Sequence, residues 1–407
     1  MKVLIYLTIF LSLNSGCKKK PTGNPVTAET SPELKVIWRT SIVPDPSRNI
    51  TISMNPVLYD ELVIFGTELT MNEMNAPILF MDTATGEIKD YWTDYLGEPA
   101  AYYGEKSLAF DKYLFLSSLT TVNCINLETR ETQWQSNIKF NFPGIYANED
   151  YLYRGISYKN EDEAALLRTP VSQINWDTVY AFSRTDRRRP NFDAAGFGQL
   201  ANGDEVVAWK NRSYVPGNGS MDRTDIFSYN LSADTLMWRN TDINFNSGPV
   251  PLKVEDQRVY GLVENHAFCI DLLTGDTLWF KDIRKIVKPT FDFGFFNGDL
   301  FIHEDAVLIK GDSDELISLN KVTGETKFVR QDIAIGFGDR FTYFEGKLFF
   351  SAGELVIIDA LTGDLLNKKQ ANQINDIQSR IVIDPNRRVM YFHNGREAFC
   401  VKIPPNL

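Results

Sequence analysis

Short runs in which apolar and polar side chains alternate recur along most of the chain, each too brief to be a helix and each followed by a turn signature. Glu61-Leu-Val-Ile-Phe65, Lys112-Tyr-Leu-Phe-Leu116, Asp299-Leu-Phe-Ile302, Lys347-Leu-Phe-Phe350 and Arg388-Val-Met-Tyr391 are of this kind. Their length and period predict half-buried β-strands. Between them a phrase repeats. Asp271-Leu-Leu-Thr274-Gly275-Asp-Thr-Leu-Trp279 returns as Asn126-Leu-Glu-Thr129-Arg130-Glu-Thr-Gln-Trp134, as Asn230-Leu-Ser-Ala233-Asp234-Thr-Leu-Met-Trp238 and as Asn320-Lys-Val-Thr323-Gly324-Glu-Thr-Lys-Phe328. Looser copies begin at Asp82 and Asp359. A unit of about forty residues cannot bury its own apolar face, so units must stack, and strands bounded by turns make that stack a propeller.

The turn position recurs at Asp82, Asn126, Ser183, Asn230, Asp271, Asn320, Asp359 and Lys402, which predicts eight blades. Each blade reads as strands a and b, then c ending on the turn residue, then d carrying a large ring. An Asp or Asn there bonds the backbone just beyond it, and Gly supplies the positive φ of a tight turn. Trp134, Trp238, Trp279 and Phe328 are expected to pack between blades rather than to bind anything. The copy at Glu397–Lys402 runs out before any strand d. Val36-Ile-Trp38-Arg-Thr-Ser-Ile42 matches Leu278-Trp279-Phe-Lys-Asp-Ile283, so the N-terminal strand is expected to complete the last blade and close the ring.

Ahead of that strand the pattern changes. Met1-Lys2 and an apolar run from Val3 to Leu13 form a charged start and a stretch too short to span a bilayer. Residues 1–16 read as a signal peptide, and Leu13-Asn14-Ser15-Gly16-Cys17 resembles a bacterial lipobox with Cys17 the lipidated residue. An ordinary secretory signal is the alternative. Residues 17–34, polar and Pro-rich, read as a lipid anchor and disordered tether, leaving 35–407 as a single propeller domain. A net charge of −11 argues against nucleic acid as a partner.

Cys124, Cys269 and Cys400 share one repeat position in separate blades, too far apart for disulfides, and are expected to be buried thiols. His266, His303 and His393 lack metal-ligand spacing, and no nucleophile elbow or phosphate loop appears, so neither a metal nor a catalytic residue is assigned.

The phrase Asp-x-x-Thr-Gly-x-x-x-Trp in an eightfold array resembles the PQQ-like propeller repeats. These are shared by quinoprotein dehydrogenases and by the lipoprotein subunit of the bacterial outer-membrane barrel-assembly machine. The resemblance covers nearly everything after Lys35. It implies an all-β, eight-bladed fold of four-stranded antiparallel blades, and it serves enzymes and scaffolds alike. The quinoproteins are longer and carry adjacent cysteines beside the quinone with a calcium. This chain has no Cys-Cys pair, so PQQ with calcium is not expected.

Where the repeat is interrupted, function is expected. Gly66–Ala76, Ser157–Asp177 and Asn211–Arg223 read as long connections between strands b and c, gathered on one face. Within the second, Glu161 to Arg168 reads as a short helix with Glu161 and Asp162 at its acidic start. Trp176, Arg212 and Tyr214 are residue types that anchor interfaces, and with Glu161 and Asp162 they are the candidate partner-binding residues. Arg184–Pro190 reads as a basic turn of blade 3 on the opposite face. The expected function is a lipid-anchored envelope scaffold that binds a protein partner, at the outer membrane facing the periplasm. A reduced quinoprotein oxidoreductase, or a binder of glycans or small ligands in the funnel, is the alternative.

Overall fold

A computed structural model describes residues 34–42, 50–52, 54–69, 77–94, 107–117, 121–137, 145–157, 163–183, 189–215, 218–243, 245, 246, 248, 250–287, 299–311, 315–331, 341–351, 355–368, 377–405 and 407. Alternating sequence becomes antiparallel sheet throughout, in eight sheets. The only regular helix among the described residues is one 3-10 turn at Ile283–Lys285. Each sheet is one blade with its strands in order a-b-c-d. Blade 1 has an extra piece, Ile50–Ile52, beside the far end of its strand b. The last blade pairs Lys35–Ser41 with Glu397–Lys402, and Trp38 stands opposite Cys400 as Trp134 stands opposite Cys124. The N-terminal strand therefore completes blade 8, as its sequence predicts.

Strand b of most blades is nearly continuous apolar sequence because it is covered on both faces by neighbouring blades. Tyr113–Ser117, Ala306–Lys310 and Val389–His393 are buried at every position. The a–b and c–d connections share one face of the ring, here the tight-turn face, and the b–c and d–a connections share the other, the loop face.

The repeated phrase shows its purpose at the seams. Asp271 Oδ1 accepts from the amides of Leu273 and Thr274, at 2.9 Å each, and so shapes the c–d turn. The indole of the preceding blade then lies on the turn. Trp238 Nε1 donates to the Leu272 carbonyl at 2.7 Å, Trp279 to Lys321 at 3.1 Å, and Trp38 to Thr83 at 3.0 Å. Gly275 sits at φ +79°, and a Cβ built there would lie 2.7 Å from the Trp238 ring. Only glycine meets both the left-handed backbone and the ring's approach.

Blade 3 departs from the sequence reading. Its strands are Ile145–Ala147, Tyr151–Ser157, Glu163–Pro170 and Asp177–Ser183. The expected helix is strand c, and Ser183 ends strand d rather than strand c. Ala164, Ala165, Leu166 and Leu167 are all buried, because a strand sandwiched between two blades needs apolar side chains on both faces. The repeat position occupied by Cys124 is filled here by Leu166, opposite Tyr180.

Candidate functional site

Blade 4 carries the largest departure from the repeat. Its strands a, b and c, Arg189–Gln199, Glu205–Val215 and Asn218–Asn230, are 11, 11 and 13 residues long, whereas strand d, Thr235–Asn240, has 6. Strand d pairs with strand c only from Asn230 back to Ile226. Strands b and c stay paired beyond that point to Val215 and Asn218, so a sheet extension stands out on the loop face. What reads as an inserted loop is a continuation of two core strands.

Polar groups collect at the root of this extension. Lys210 is fully buried, and its ammonium donates to the carbonyls of Gly248 at 2.6 Å and Leu262 at 3.4 Å. Burial pulls its pKa from 10.5 down to about 8, with Asp193 offsetting part of that. Asp193 stands at a bulge of strand a, with its Oδ1 3.8 Å from Arg212 Nε. On the neighbouring register Asp225 Oδ2 accepts from Arg239 Nε at 3.1 Å and Nη2 at 2.5 Å, and that guanidinium lies 5.4 Å over the Phe227 ring. Among the described residues Trp209 Nε1, Asn211 Oδ1 and Thr224 Oγ1 are buried without a hydrogen-bond partner, and Arg212 Nε has only the Asp193 carboxylate, beyond hydrogen-bond distance. Buried polar atoms left unpaired cost about 1–3 kcal/mol each, so this root is less stable than an apolar core would make it.

Lys210 makes this root measurable. Between pH 8 and 10.5 the folded chain holds fewer protons at Lys210 than the unfolded chain, so its contribution to stability rises with pH, by up to about 3 kcal/mol in all. Urea unfolding at pH 8 and pH 9.5 should show that rise in the native chain and a flatter response in Lys210→Met.

The structure separates the residues that the sequence grouped. Arg212 lies on the blade 4 extension, and Tyr214 is on the same strand, its backbone opposite Arg189. Trp176 does not join them. It belongs to the c–d turn of blade 3 on the tight-turn face, where its Nε1 donates to Ser136 Oγ at 3.0 Å and its ring packs into the seam with blade 2. Its role is structural. Cys17, Glu161 and Asp162 lie outside the described residues. The segment from Arg184 to Pro190 is no turn of blade 3. It falls in the sequence between strand d of blade 3, which ends at Ser183, and strand a of blade 4, which begins at Arg189, and residues 184–188 lie outside the described residues. Lys210, Asp193 and Asp225 escaped the sequence reading. The signal was there in Val206-Val-Ala-Trp-Lys210-Asn-Arg212, a core strand that acquires charge without ending.

Cys124, Cys269 and Cys400 are buried free thiols in separate blades, and burial raises the pKa of each, Cys269 to about 12 and Cys400 to about 11. Among the described residues no group of three His, Cys, Asp or Glu is placed to hold a metal ion.

Comparison with known proteins agrees with the ring. No curated protein matches the chain by sequence. BamB from Moraxella catarrhalis superposes with a TM-score of 0.58 at 9% identity, over 91% of this chain and 100% of that one. A europium-containing methanol dehydrogenase gives 0.64 at 8% identity, over 91% and 93%. The quinohemoprotein alcohol dehydrogenase of Comamonas testosteroni gives 0.62 at 10% identity, over 91% and 76%. At these identities the likeness is one of fold. A family profile described as outer membrane protein assembly factor BamB matches residues 222–406. That match, laid over a ring which the dehydrogenases share in fold alone, leaves the chain an eight-bladed β-propeller that resembles the BamB family over residues 222–406.

Proposed function

We propose that this chain is a noncatalytic docking scaffold of the bacterial cell envelope, anchored at the outer membrane by a lipid on Cys17 and facing the periplasm. Its propeller, residues 35–407, binds a protein partner through the blade 4 extension. The observation that carries this reading is the extension itself. Strands b and c rise past strand d on the loop face, with Arg212 and Arg223 among their side chains and unpaired polar atoms at their root. Stability alone does not call for such an element, whereas interfaces use arginine and strand edges. The similarity to an assembly factor of the outer membrane supports both the compartment and a protein partner.

Two experiments test the halves of this proposal. Cys17→Ser should release the protein from membranes, since each buried methylene of a lipid contributes about 0.8 kcal/mol and the three lysines beside Cys17 alone hold weakly. Sedimentation with membranes after a salt wash would contradict the anchor. A photo-crosslinking side chain at exposed Arg223 should capture one defined envelope protein in cells, while the same group at exposed Leu273, on the tight-turn face of blade 5, should not. Equal capture at both positions, or none at Arg223, would contradict the assignment of the extension.

A further inference from the structure

At the seam between blades 1 and 2 a charge pair replaces the indole packing that four other seams use. At four seams an indole donates to a carbonyl of the next blade's c–d turn, and at three of these it lies on a left-handed glycine: Trp38 on Gly86, Trp238 on Gly275 and Trp279 on Gly324. Between blades 1 and 2 both halves of that arrangement are replaced. Asp90 stands opposite Phe80, where blades 2, 4, 5 and 8 place an indole. Arg130, at φ 62°, occupies the glycine position of blade 2. The two replacements answer each other, because Arg130 Nη1 lies 3.4 Å from Asp90 Oδ2. Trp92, two residues further along strand d, holds the seam together nearer the loop face and donates to Thr132 Oγ1 at 3.0 Å.

An ion pair fills less space than an indole. What remains is an open cleft of about 880 Å³ on the tight-turn face, lined by Asp60, Glu61, Leu62, Leu127, Glu128 and Arg130 among others. The carbonyl of Leu127 corresponds by repeat to those of Thr83, Leu272 and Lys321, which accept the indole N–H groups. No described side chain donates to it. The two cations in the cleft are already engaged, Lys89 by Glu87 at 2.5 Å and Arg130 by Asp90. Among the described residues no cation pairs with Asp60 or Glu61, both exposed, and Glu128 has only Lys112 at 3.8 Å. The cleft thus offers the side chains of Tyr59 and Leu62 among charged neighbours, a carbonyl that no described side chain uses, and carboxylates with no close cation among the described residues.

We propose that this seam is a docking site for an arginine side chain presented by a partner protein. The planar guanidinium enters the cleft beside the Arg130–Asp90 pair and donates to the Leu127 carbonyl. Its remaining N–H groups face Asp60, Glu61 and Glu128, and its methylenes lie on Leu62 and Leu127. A second copy of this chain is a poor occupant, since each carries a net charge of −11. The inference rests on the scaffold reading but uses the opposite face from the blade 4 extension, and a scaffold with two docking faces can hold two proteins together.

The test uses the full chain and a displayed library of random dodecapeptides, with selected peptides measured by calorimetry. Selected sequences should centre on arginine, and changing that arginine to citrulline should weaken binding about tenfold or more, as loss of a charge-assisted contact does. Asp90→Trp with Arg130→Gly returns the indole to its glycine, should keep the melting temperature, and should weaken binding by a similar factor. Asp60→Asn with Glu61→Gln changes only exposed side chains, so folding is not at risk, and should weaken it severalfold. Selection without arginine, no selected binder, or binding that both double variants leave unchanged would overturn the proposal. Free arginine amide binding as tightly as the peptides would overturn it in favour of a small-molecule site. Crosslinking at Arg223 reads the other face, so its outcome decides the scaffold reading separately.

Discussion

Trp38→Ala is expected to cost about 3–5 kcal/mol, the range for deleting a buried large ring, and to do more than the same change in the middle of the chain. Trp38 is 8% exposed and packs between blades, touching the cluster of Val63, Phe65, Leu79 and Met81 on one side and Val389, Tyr391 and Cys400 on the other. Its indole is the hydrogen-bonded link from the terminal strand to the turn at Thr83. Trp238→Ala removes a comparable ring, but the strand that bears it continues into the next blade on both sides. Strand Lys35–Ser41 has no c–d turn tying it to its blade and is held by its pairing with Glu397–Lys402 and by Trp38 and Thr40 on the blade 1 turn. Denaturant unfolding should therefore show a loss of several kcal/mol for either variant. Hydrogen exchange should show the amides of 35–41 opening ahead of global unfolding in Trp38→Ala alone. Protected amides there in that variant would mean that ring closure does not depend on the seam ring.

The eightfold ring was legible in the sequence because the strand c turn needs particular chemistry: an acid or amide to gather two backbone amides, then a residue tolerant of positive φ. Those requirements leave letters, and Asp82, Asn126, Asn230, Asp271, Asn320 and Asp359 all occupy that turn. Blade 3 was misread because its turn does without them. Val171 to Trp176 closes on Thr169 Oγ1, which accepts from the Asn175 amide at 2.7 Å, so no Asp or Asn marks the end of strand c. The run Ala164 to Leu167 has the intrinsic preference of a helix, and burial between two blades overrides it.

The candidate site was legible in part. Arg212 was found where the repeat lengthens, since extra residues between strands b and c must leave the ring. That those residues continue the strands could not be read, because Asn, Arg, Ser and Pro at 211–216 are turn letters and the pairing that keeps them extended comes from strand a. Trp176 was misplaced together with its blade. The replacement of Trp by Asp90 and of Gly by Arg130 is visible in the aligned repeats, but only the seam geometry shows that the two substitutions meet.

Replacing residues 213–223 by Asn-Gly is expected to abolish partner binding while leaving the ring intact. Arg212 and Thr224 are paired across strands b and c, so a two-residue turn closes the ladder there without disturbing the core pairs from Lys210 and Ile226 inward. The seams that hold blade 4, Trp238 on Leu272 and Phe182 stacked on Phe227, lie below the cut. The decisive measurement is capture of the envelope partner by native and shortened chains of matched concentration, with the melting temperature of each recorded alongside. A docking scaffold that works through this extension predicts an unchanged melting temperature within a few degrees and loss of the captured protein. Unchanged capture by a shortened chain that melts like the native one would contradict it.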